Sequence, residues 1–113
     1  LKMSAELHDI GKILIPLEIL NKPGKLTELE IRMIREHVEM CHDMLKRHAF
    51  PFPLPEAIYQ HHERLDGTGY PRGLSAKRII PEARILAVSD VLEAMTFHRP
   101  YRAALGLKKA IKE

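Results

Sequence analysis

The chain has 113 residues, which is enough for one domain with a modest core. No stretch reaches the roughly eighteen consecutive apolar residues of a membrane span, and no secretion leader is visible. The single cysteine, Cys41, excludes an internal disulfide, and a formal net charge of +3 is too small to indicate nucleic-acid binding. The sequence therefore predicts a cytoplasmic protein that binds neither DNA nor a membrane.

In the first part of the chain, the sequence predicts the end of one helix and then a short second helix. Residues 1–7 favour helix, and we interpret them as the last turns of a helix that begins upstream, in a longer protein. Gly11 is placed to terminate this helix, and Pro16 opens a brief helix through Leu20. The segment 21–24 reads Asn-Lys-Pro-Gly, which is typical of a turn.

Two helices with clear boundaries are predicted in the middle of the chain. Thr27 and Glu30 form a capping box, because each side chain satisfies a free backbone N–H of the other residue. The helix that they start is predicted to run to about Arg47. Closely spaced prolines then break the chain, and a helix is predicted from Pro55 to about Glu63.

The last third contains a loop and two further helices. After a loop over residues 64–80, Pro81 opens a helix that is apolar almost all round and ends near Phe97. Such a pattern predicts burial on most sides. A final amphipathic helix is predicted from about Leu105 to the end. Since period-2 alternation is scarce, the fold is predicted to be all-α.

Asp90 stands in the middle of the apolar helix. A carboxylate in such a place is unfavourable unless it is paired or bound to a cation. Ala83, Ala87 and Ala94 share its face and leave room for a group that is not a side chain. Asp90 is therefore either bound to a neighbouring helix end or arginine, or it is a metal ligand.

Seven histidines are many for a chain of this length. His8 and Asp9 are adjacent, so they could bind one metal ion or bridge two, although a capping role is also compatible. His37 lies on an apolar helix face, where it is either a hydrogen-bonded core residue or a ligand. His61 and His62 end a predicted helix and could reach one pocket, or they could be solvated.

If these segments converge, four imidazoles and two carboxylates form a mixed nitrogen and oxygen site. Such a site suits two metal ions such as Fe or Mn, with Zn or Ni as alternatives. An aspartate that bridges two metals fits in-line attack at phosphorus. Lys12, Arg99 and Arg102 are cations that suit a phosphate-bearing substrate.

The motifs occur in an order that is similar to one known family. They are His8-Asp9-Ile10-Gly11-Lys12, the Asn-Lys-Pro-Gly-Lys-Leu-Thr segment at 21–27, His37, His61-His62-Glu63 with Asp66-Gly67-Thr68-Gly69-Tyr70-Pro71, Asp90, and Arg99-Pro100-Tyr101-Arg102. This set resembles the HD-GYP family, a branch of the HD-domain metal-dependent phosphohydrolases, over nearly the whole chain. The resemblance implies an HD-type helical bundle over residues 1–113 that lacks its first helix or helices and any regulatory domain.

The resemblance also implies an activity. HD-GYP domains hydrolyse the bacterial second messenger cyclic di-GMP to linear pGpG or to GMP, with two or three divalent metal ions. Iron or manganese is expected, and zinc, nickel and magnesium are alternatives. The domain is expected to be an output domain in signal transduction, behind an upstream receiver or sensor domain as in a response regulator. A diguanylate cyclase-type protein is a further expected partner.

Site residues follow from the resemblance by position. The implied metal ligands are His8, Asp9, His37, His61, His62 and Asp90. Asp9 is expected to bridge the metals, and Lys12 to meet the scissile phosphate, so these two are the expected catalytic residues. The implied substrate contacts are Lys12, Arg99, Arg102, Gly69, Tyr70 and Pro71.

Two alternatives remain beside this interpretation. The first is another HD-type phosphohydrolase that acts on a different cyclic dinucleotide or phosphate ester; the Gly69-Tyr70-Pro71 loop argues against it. The second is a catalytically weak signalling or nucleotide-binding module; the full set of internal ligands argues against that. The family supplies a further His, and in some members a Glu, upstream of His8, so this fragment alone is expected to be weak or inactive.

Overall fold

A computed structural model of the protein describes residues 2–96, and its regular secondary structure is helical. The elements are α1 (Lys2–Leu7), a first 3₁₀ helix (Ile10–Leu14), α2 (Leu17–Leu20), α3 (Glu28–Arg35), α4 (His37–Leu45), α5 (Leu54–Gln60), a second 3₁₀ helix (Ala76–Arg78) and α6 (Pro81–Thr96). Within this part of the chain, β pairing is limited to an isolated bridge between Asp66 and Ser75. The predicted all-α class is confirmed, and the helix predicted from Leu105 lies outside the described residues.

The core lies where α4, α5 and α6 meet. Cys41, Leu54, Ile58 and Leu86 come from these three helices and are almost completely buried. Helix α1 packs on α5 and α6, and the first 3₁₀ helix packs on α4. This packing places the end of α1 beside the end of α5, although the two are far apart in the sequence.

The helix predicted from the capping box to about Arg47 is two helices, so the prediction of one continuous helix was wrong. The capping box itself is present, and α3 ends at Arg35 while α4 begins at His37. The Nδ1–H of His37 donates to the carbonyl oxygen of Ile34 at 2.6 Å. A continuous helix would use that carbonyl for a backbone N–H one turn later, so the His37 side chain competes with the helix.

Gly11 lies inside the first 3₁₀ helix, so its predicted role as a helix terminator was wrong. A Cβ at this position would lie 2.2 Å from the carbonyl oxygen of His37 and 2.9 Å from Cys41 Sγ. The Gly11 N–H donates to the same sulfur at 2.9 Å. The missing side chain lets the 3₁₀ helix rest directly on α4, which brings Asp9 towards His37.

Helix α6 begins at Pro81 as predicted, but the predicted burial on most sides was wrong. Ala83, Leu86 and Met95 are buried, whereas Ile85 is 50% exposed and Val88 69% exposed. Among the helices of residues 2–96, the others pack on one side of α6. Among residues 2–96, no helix has both the length and the apolar character that crossing a bilayer demands.

We expect Gly11→Ala to destabilise the fold by about 2–3 kcal/mol, because the new methyl group would overlap backbone atoms that cannot move independently. Urea unfolding followed by circular dichroism would measure the loss. Gly24→Ala is the control: its φ is +98° and its Cβ would meet no atom within 4 Å, so only backbone strain of about 1 kcal/mol is expected. An equal decrease in the free energy of unfolding in Gly11→Ala and Gly24→Ala would contradict the close packing at Gly11.

Candidate metal centre

The structure brings the six predicted ligand side chains together from four separate segments. At one side of the cluster, His8 Nε2 lies 3.5 Å from Asp90 Oδ1 and 3.6 Å from Asp9 Oδ1. His37 Nε2 lies 3.7 Å from the same Asp9 oxygen. Asp9 therefore contacts two imidazoles on different segments, which is the position that a bridging carboxylate would need.

Three imidazoles form the other side of the cluster. His37, His61 and His62 each offer a ring nitrogen, and these nitrogens all lie within 4.8 Å of one another. The His61 and His62 ring centroids are 3.9 Å apart, and His8 reaches the group through its contact with His61 at 5.3 Å. Because α5 ends at Gln60, the two adjacent histidines leave the helix together and point to the same side.

Backbone carbonyls fix the orientation of three of the four imidazoles. The Nδ1–H groups of His8, His37 and His61 donate to the carbonyl oxygens three residues earlier, at 2.8, 2.6 and 2.6 Å. A carbonyl oxygen only accepts, so each Nδ1 carries a proton. Burial lowers the pKa of His37 and His61, and in these neutral rings Nε2 presents a lone pair. Metal-binding histidines are held by their second nitrogen in this way.

Three polar atoms that face the cluster accept no hydrogen bond from the described part of the chain. Asp9 Oδ1, His37 Nε2 and His61 Nε2 are buried and accept no hydrogen bond within residues 2–96. The Lys12 ammonium lies 2.7 Å from both carboxylate oxygens of Asp9 but donates a hydrogen bond only to Oδ2. Buried acceptors without donors are unfavourable, whereas a divalent cation would satisfy all three. The donor set therefore fits a metal centre.

A ring stack holds the fourth imidazole. The Tyr70 ring lies on the His62 ring with centroids 4.8 Å apart and planes 22° apart. The Arg35 guanidinium lies 4.9 Å from the centroid of the Tyr70 ring. Arg35 was not among the sequence-predicted site residues; its position two residues before His37 was the available signal. Tyr70 was predicted to contact substrate, and the structure places it against a predicted metal ligand.

The loop that carries Tyr70 is tied to the end of α5. A Cβ on Gly69 would lie within 2.5 Å of backbone atoms of His62, Glu63 and Arg64, so only glycine fits there. The peptide bond between Tyr70 and Pro71 is cis.

The buried side chain of Glu63 fixes the same loop through its backbone. This residue is 4% exposed, and its carboxylate accepts the N–H groups of Arg72 and Leu74, each at 2.7 Å. Sequence reasoning named Glu63 only as part of the motif and missed this anchoring contact. A buried acid directly before a glycine-rich loop was the signal that could have found it.

Burial and charge set the protonation of the cluster. Burial lowers the pKa of His61 to about 4 and that of His62 to about 3, so both rings are neutral at pH 7. The contact with His8 lowers the pKa of Asp90 to about 2, and Asp90 in turn raises the pKa of His8. Burial opposes ionisation of Asp9, but the Lys12 ammonium more than offsets it and the pKa is lowered. Neutral imidazoles beside ionised carboxylates are the forms that bind metal ions.

Two predicted substrate contacts, Arg99 and Arg102, lie outside the described residues. Lys12 lies at the edge of the cluster with its side chain 27% exposed, so solvent and a ligand can reach it.

Comparison with known proteins gives the chain a family context. The model of the HD domain family matches residues 1–113. The cyclic di-GMP phosphodiesterase response regulator RpfG of Xanthomonas campestris is 43% identical over 113 residues, which is 98% of this chain and 30% of that protein. The cyclic di-GMP phosphodiesterase of Thermotoga maritima is 42% identical over 115 residues, 100% of this chain and 31% of that protein.

A relative with a different named substrate is equally similar. The 3'3'-cGAMP-specific phosphodiesterase 3 of Vibrio cholerae is 43% identical over 112 residues, 98% of this chain and 24% of that protein. The chain spans less than a third of the length of each of these three relatives.

We expect Tyr70→Leu to weaken metal binding about tenfold, because removing the ring leaves His62 without the stack that orients it. Competition with a chromophoric chelator would measure the affinity. Tyr59→Leu is a matched control, since Tyr59 stacks on His42 at 4.5 Å and lies under Arg72 at 4.8 Å. Equal metal affinity in Tyr70→Leu and the unaltered protein would contradict the orienting role.

Proposed function

The chain belongs to the HD domain family, and we propose that it is the catalytic domain of a metal-dependent phosphodiesterase that hydrolyses cyclic di-GMP. The observation that carries this proposal is the pair of buried imidazole nitrogens without a donor, His37 Nε2 and His61 Nε2. They lie in the same cluster as Asp9 Oδ1, an oxygen that contacts His8, His37 and Lys12. A divalent cation would satisfy these atoms, and divalent cations in such sites promote hydrolysis of phosphate esters. The cyclic di-GMP phosphodiesterases among the relatives supply the substrate class.

The proposed metal ligands are the six clustered residues His8, Asp9, His37, His61, His62 and Asp90. Nitrogen and carboxylate donors without thiolates favour iron or manganese, with zinc, nickel or magnesium as alternatives. When bound, two or three such ions would polarise the phosphate and lower the pKa of a water molecule. Asp9 is the proposed bridge, since its buried oxygen contacts both His8 and His37.

The chain's own residues would orient the diester and stabilise its charge. Lys12 is the described cation at the cluster edge, where an ammonium stabilises the negative charge that develops on the phosphate. Gly69, Tyr70 and Pro71 shape the wall next to His62 and would limit the poses of the substrate. Arg99 and Arg102 are proposed to hold the nucleotide, a role that rests on the sequence resemblance.

A second candidate substrate is 3'3'-cGAMP. Two relatives specific for this cyclic dinucleotide are 43% and 42% identical to the chain, and two cyclic di-GMP enzymes have the same identities. The two substrates share the diester ring and differ in one base, so the same metal chemistry would serve both. Because the relatives are much longer, we also propose that a receiver or sensor domain controls the activity in the complete protein.

We expect the complete protein, loaded anaerobically with Fe²⁺ or with Mn²⁺, to hydrolyse cyclic di-GMP faster than 3'3'-cGAMP or cyclic di-AMP. Chromatography of the products would show the rates and whether pGpG or GMP accumulates. Removal of metal by chelation should abolish turnover, and readdition should restore it. A metal-loaded protein that leaves every cyclic dinucleotide intact would refute the proposal and favour a signalling module.

We expect Asp9→Ala to lower the metal content and to reduce kcat/KM about 10²- to 10³-fold, because it removes the shared oxygen of the cluster. Elemental analysis and steady-state kinetics would measure the two effects. Asp43→Ala is the control, since that carboxylate is 64% exposed and pairs only with Lys46 and His42 among the described residues. Unchanged metal stoichiometry in Asp9→Ala would contradict the bridging role.

A further inference from the structure

A cavity lies beside the metal cluster, between α2 and α3. Its volume is about 670 Å³, which is in the range of pockets that hold small molecules. Aliphatic side chains line it, among them Leu20, Ile31 and Ile34, and three lysines lie on it: Lys12, Lys22 and Lys25. We call it the Lys25 pocket.

Lys12 links the Lys25 pocket to the candidate metal centre. Lys12 belongs to the pocket and places its ammonium 2.7 Å from the Asp9 carboxylate. Ile34 also lines the pocket, and its carbonyl oxygen accepts the Nδ1–H of His37. A ligand whose reacting phosphate lies at the cluster can therefore extend into this pocket.

The turn that forms the pocket rim is held in place before any ligand binds. Lys22 Nζ donates to both carboxylate oxygens of Glu30, at 2.7 and 2.8 Å. Glu30 also accepts the Thr27 N–H at 2.7 Å, and these contacts lower its pKa to about 2. Gly24, with φ +98°, turns the chain between the two anchors. A fixed rim reduces the entropy lost when a ligand binds.

The three lysines differ in whether they form ion pairs within the described residues. Lys12 pairs with Asp9, and Lys22 pairs with Glu30. Lys25 is exposed and makes no ion pair or hydrogen bond with any of residues 2–96. The pocket thus combines an aliphatic wall with an ammonium group that has no internal partner, which suits a flat base joined to a phosphate.

We propose that the Lys25 pocket holds the half of the cyclic dinucleotide that is not being cleaved. Its base lies against the aliphatic wall near Ile31 and Ile34, and its phosphate pairs with Lys25. This assignment rests on the proposed phosphodiesterase function. A cyclic dinucleotide carries two phosphates, and only one of them reacts at the metal cluster, so the second needs a separate cation.

The test compares Lys25→Gln with Lys77→Gln in the complete, metal-loaded protein. Lys77 is also exposed but lines neither the pocket nor the cluster, so it controls for the loss of a surface charge. For cyclic di-GMP, Lys25→Gln should raise KM about tenfold with kcat unchanged. For bis(p-nitrophenyl) phosphate, which has one phosphate and no second nucleotide, kcat/KM should stay the same. Lys77→Gln should change neither.

A second variant tests the aliphatic wall. Ile31 is 37% exposed, so Ile31→Glu should fold, and its carboxylate should raise KM for cyclic di-GMP by repelling the phosphate. If KM for cyclic di-GMP is unchanged in both Lys25→Gln and Ile31→Glu, the pocket assignment is overturned. It is also overturned if KM of these variants rises equally for cyclic di-GMP and for bis(p-nitrophenyl) phosphate.

Direct binding separates this proposal from the proposed function. Calorimetric titration with cyclic di-GMP should show weaker binding to Lys25→Gln than to the unaltered protein, whether or not the dinucleotide is hydrolysed. Weaker binding without turnover would support the pocket while refuting the enzyme. Equal affinity of the two proteins, or no binding to the unaltered protein, would overturn the pocket assignment.

Discussion

The hydrogen bond from an imidazole Nδ1–H to the carbonyl oxygen three residues earlier is the interaction on which the candidate site depends. It occurs at His8, His37 and His61, on three different segments. In a neutral ring each bond leaves Nε2 as an acceptor and fixes the direction of its lone pair. At His37 the same bond interrupts the helix between α3 and α4, so the local fold is adapted to the orientation of one ring.

Close backbone approaches then bring the oriented rings together. Gly11 lets the first 3₁₀ helix lie against the His37 carbonyl, and Gly69 lets the following loop lie on the backbone at the end of α5. Glu63 completes the second approach by accepting two N–H groups from that loop. Any side chain at either glycine would push apart the segments that supply the candidate ligands. The motifs around Gly11 and Gly69 therefore contribute to packing as well as supplying the candidate site residues.

The electrostatic arrangement follows from this packing. Burial keeps His61 and His62 neutral, while Asp9 and Asp90 stay ionised beside Lys12 and His8. A site with negative oxygens and neutral nitrogens attracts cations, and the lysines around it attract phosphates. The Lys25 pocket extends this pattern away from the cluster, because Lys22 is already neutralised by Glu30 and leaves Lys25 to a ligand.

Much of the fold and the candidate site could be predicted from the sequence. The capping box at Thr27 and Glu30, the start of α6 at Pro81 and the all-α class depend on local patterns of capping, proline and hydrophobicity, and the structure confirms them. Grouping His8, Asp9, His37, His61, His62 and Asp90 as ligand candidates was also possible, because their residue types and order are informative; their role as ligands stays a prediction. The contact under Gly11, the exposed side of α6 and the stack of Arg35 on Tyr70 were not predictable, because each depends on a neighbour that is distant in sequence. The break at Glu36 has a local cause, the hydrogen bond from the His37 ring to the Ile34 carbonyl, but that bond leaves no mark in the capping or hydrophobic pattern. The sequence by itself determined which residues are the candidates for the chemistry, and only the tertiary structure decided which of their atoms face one another, since ring orientation and burial arise when separate helices pack.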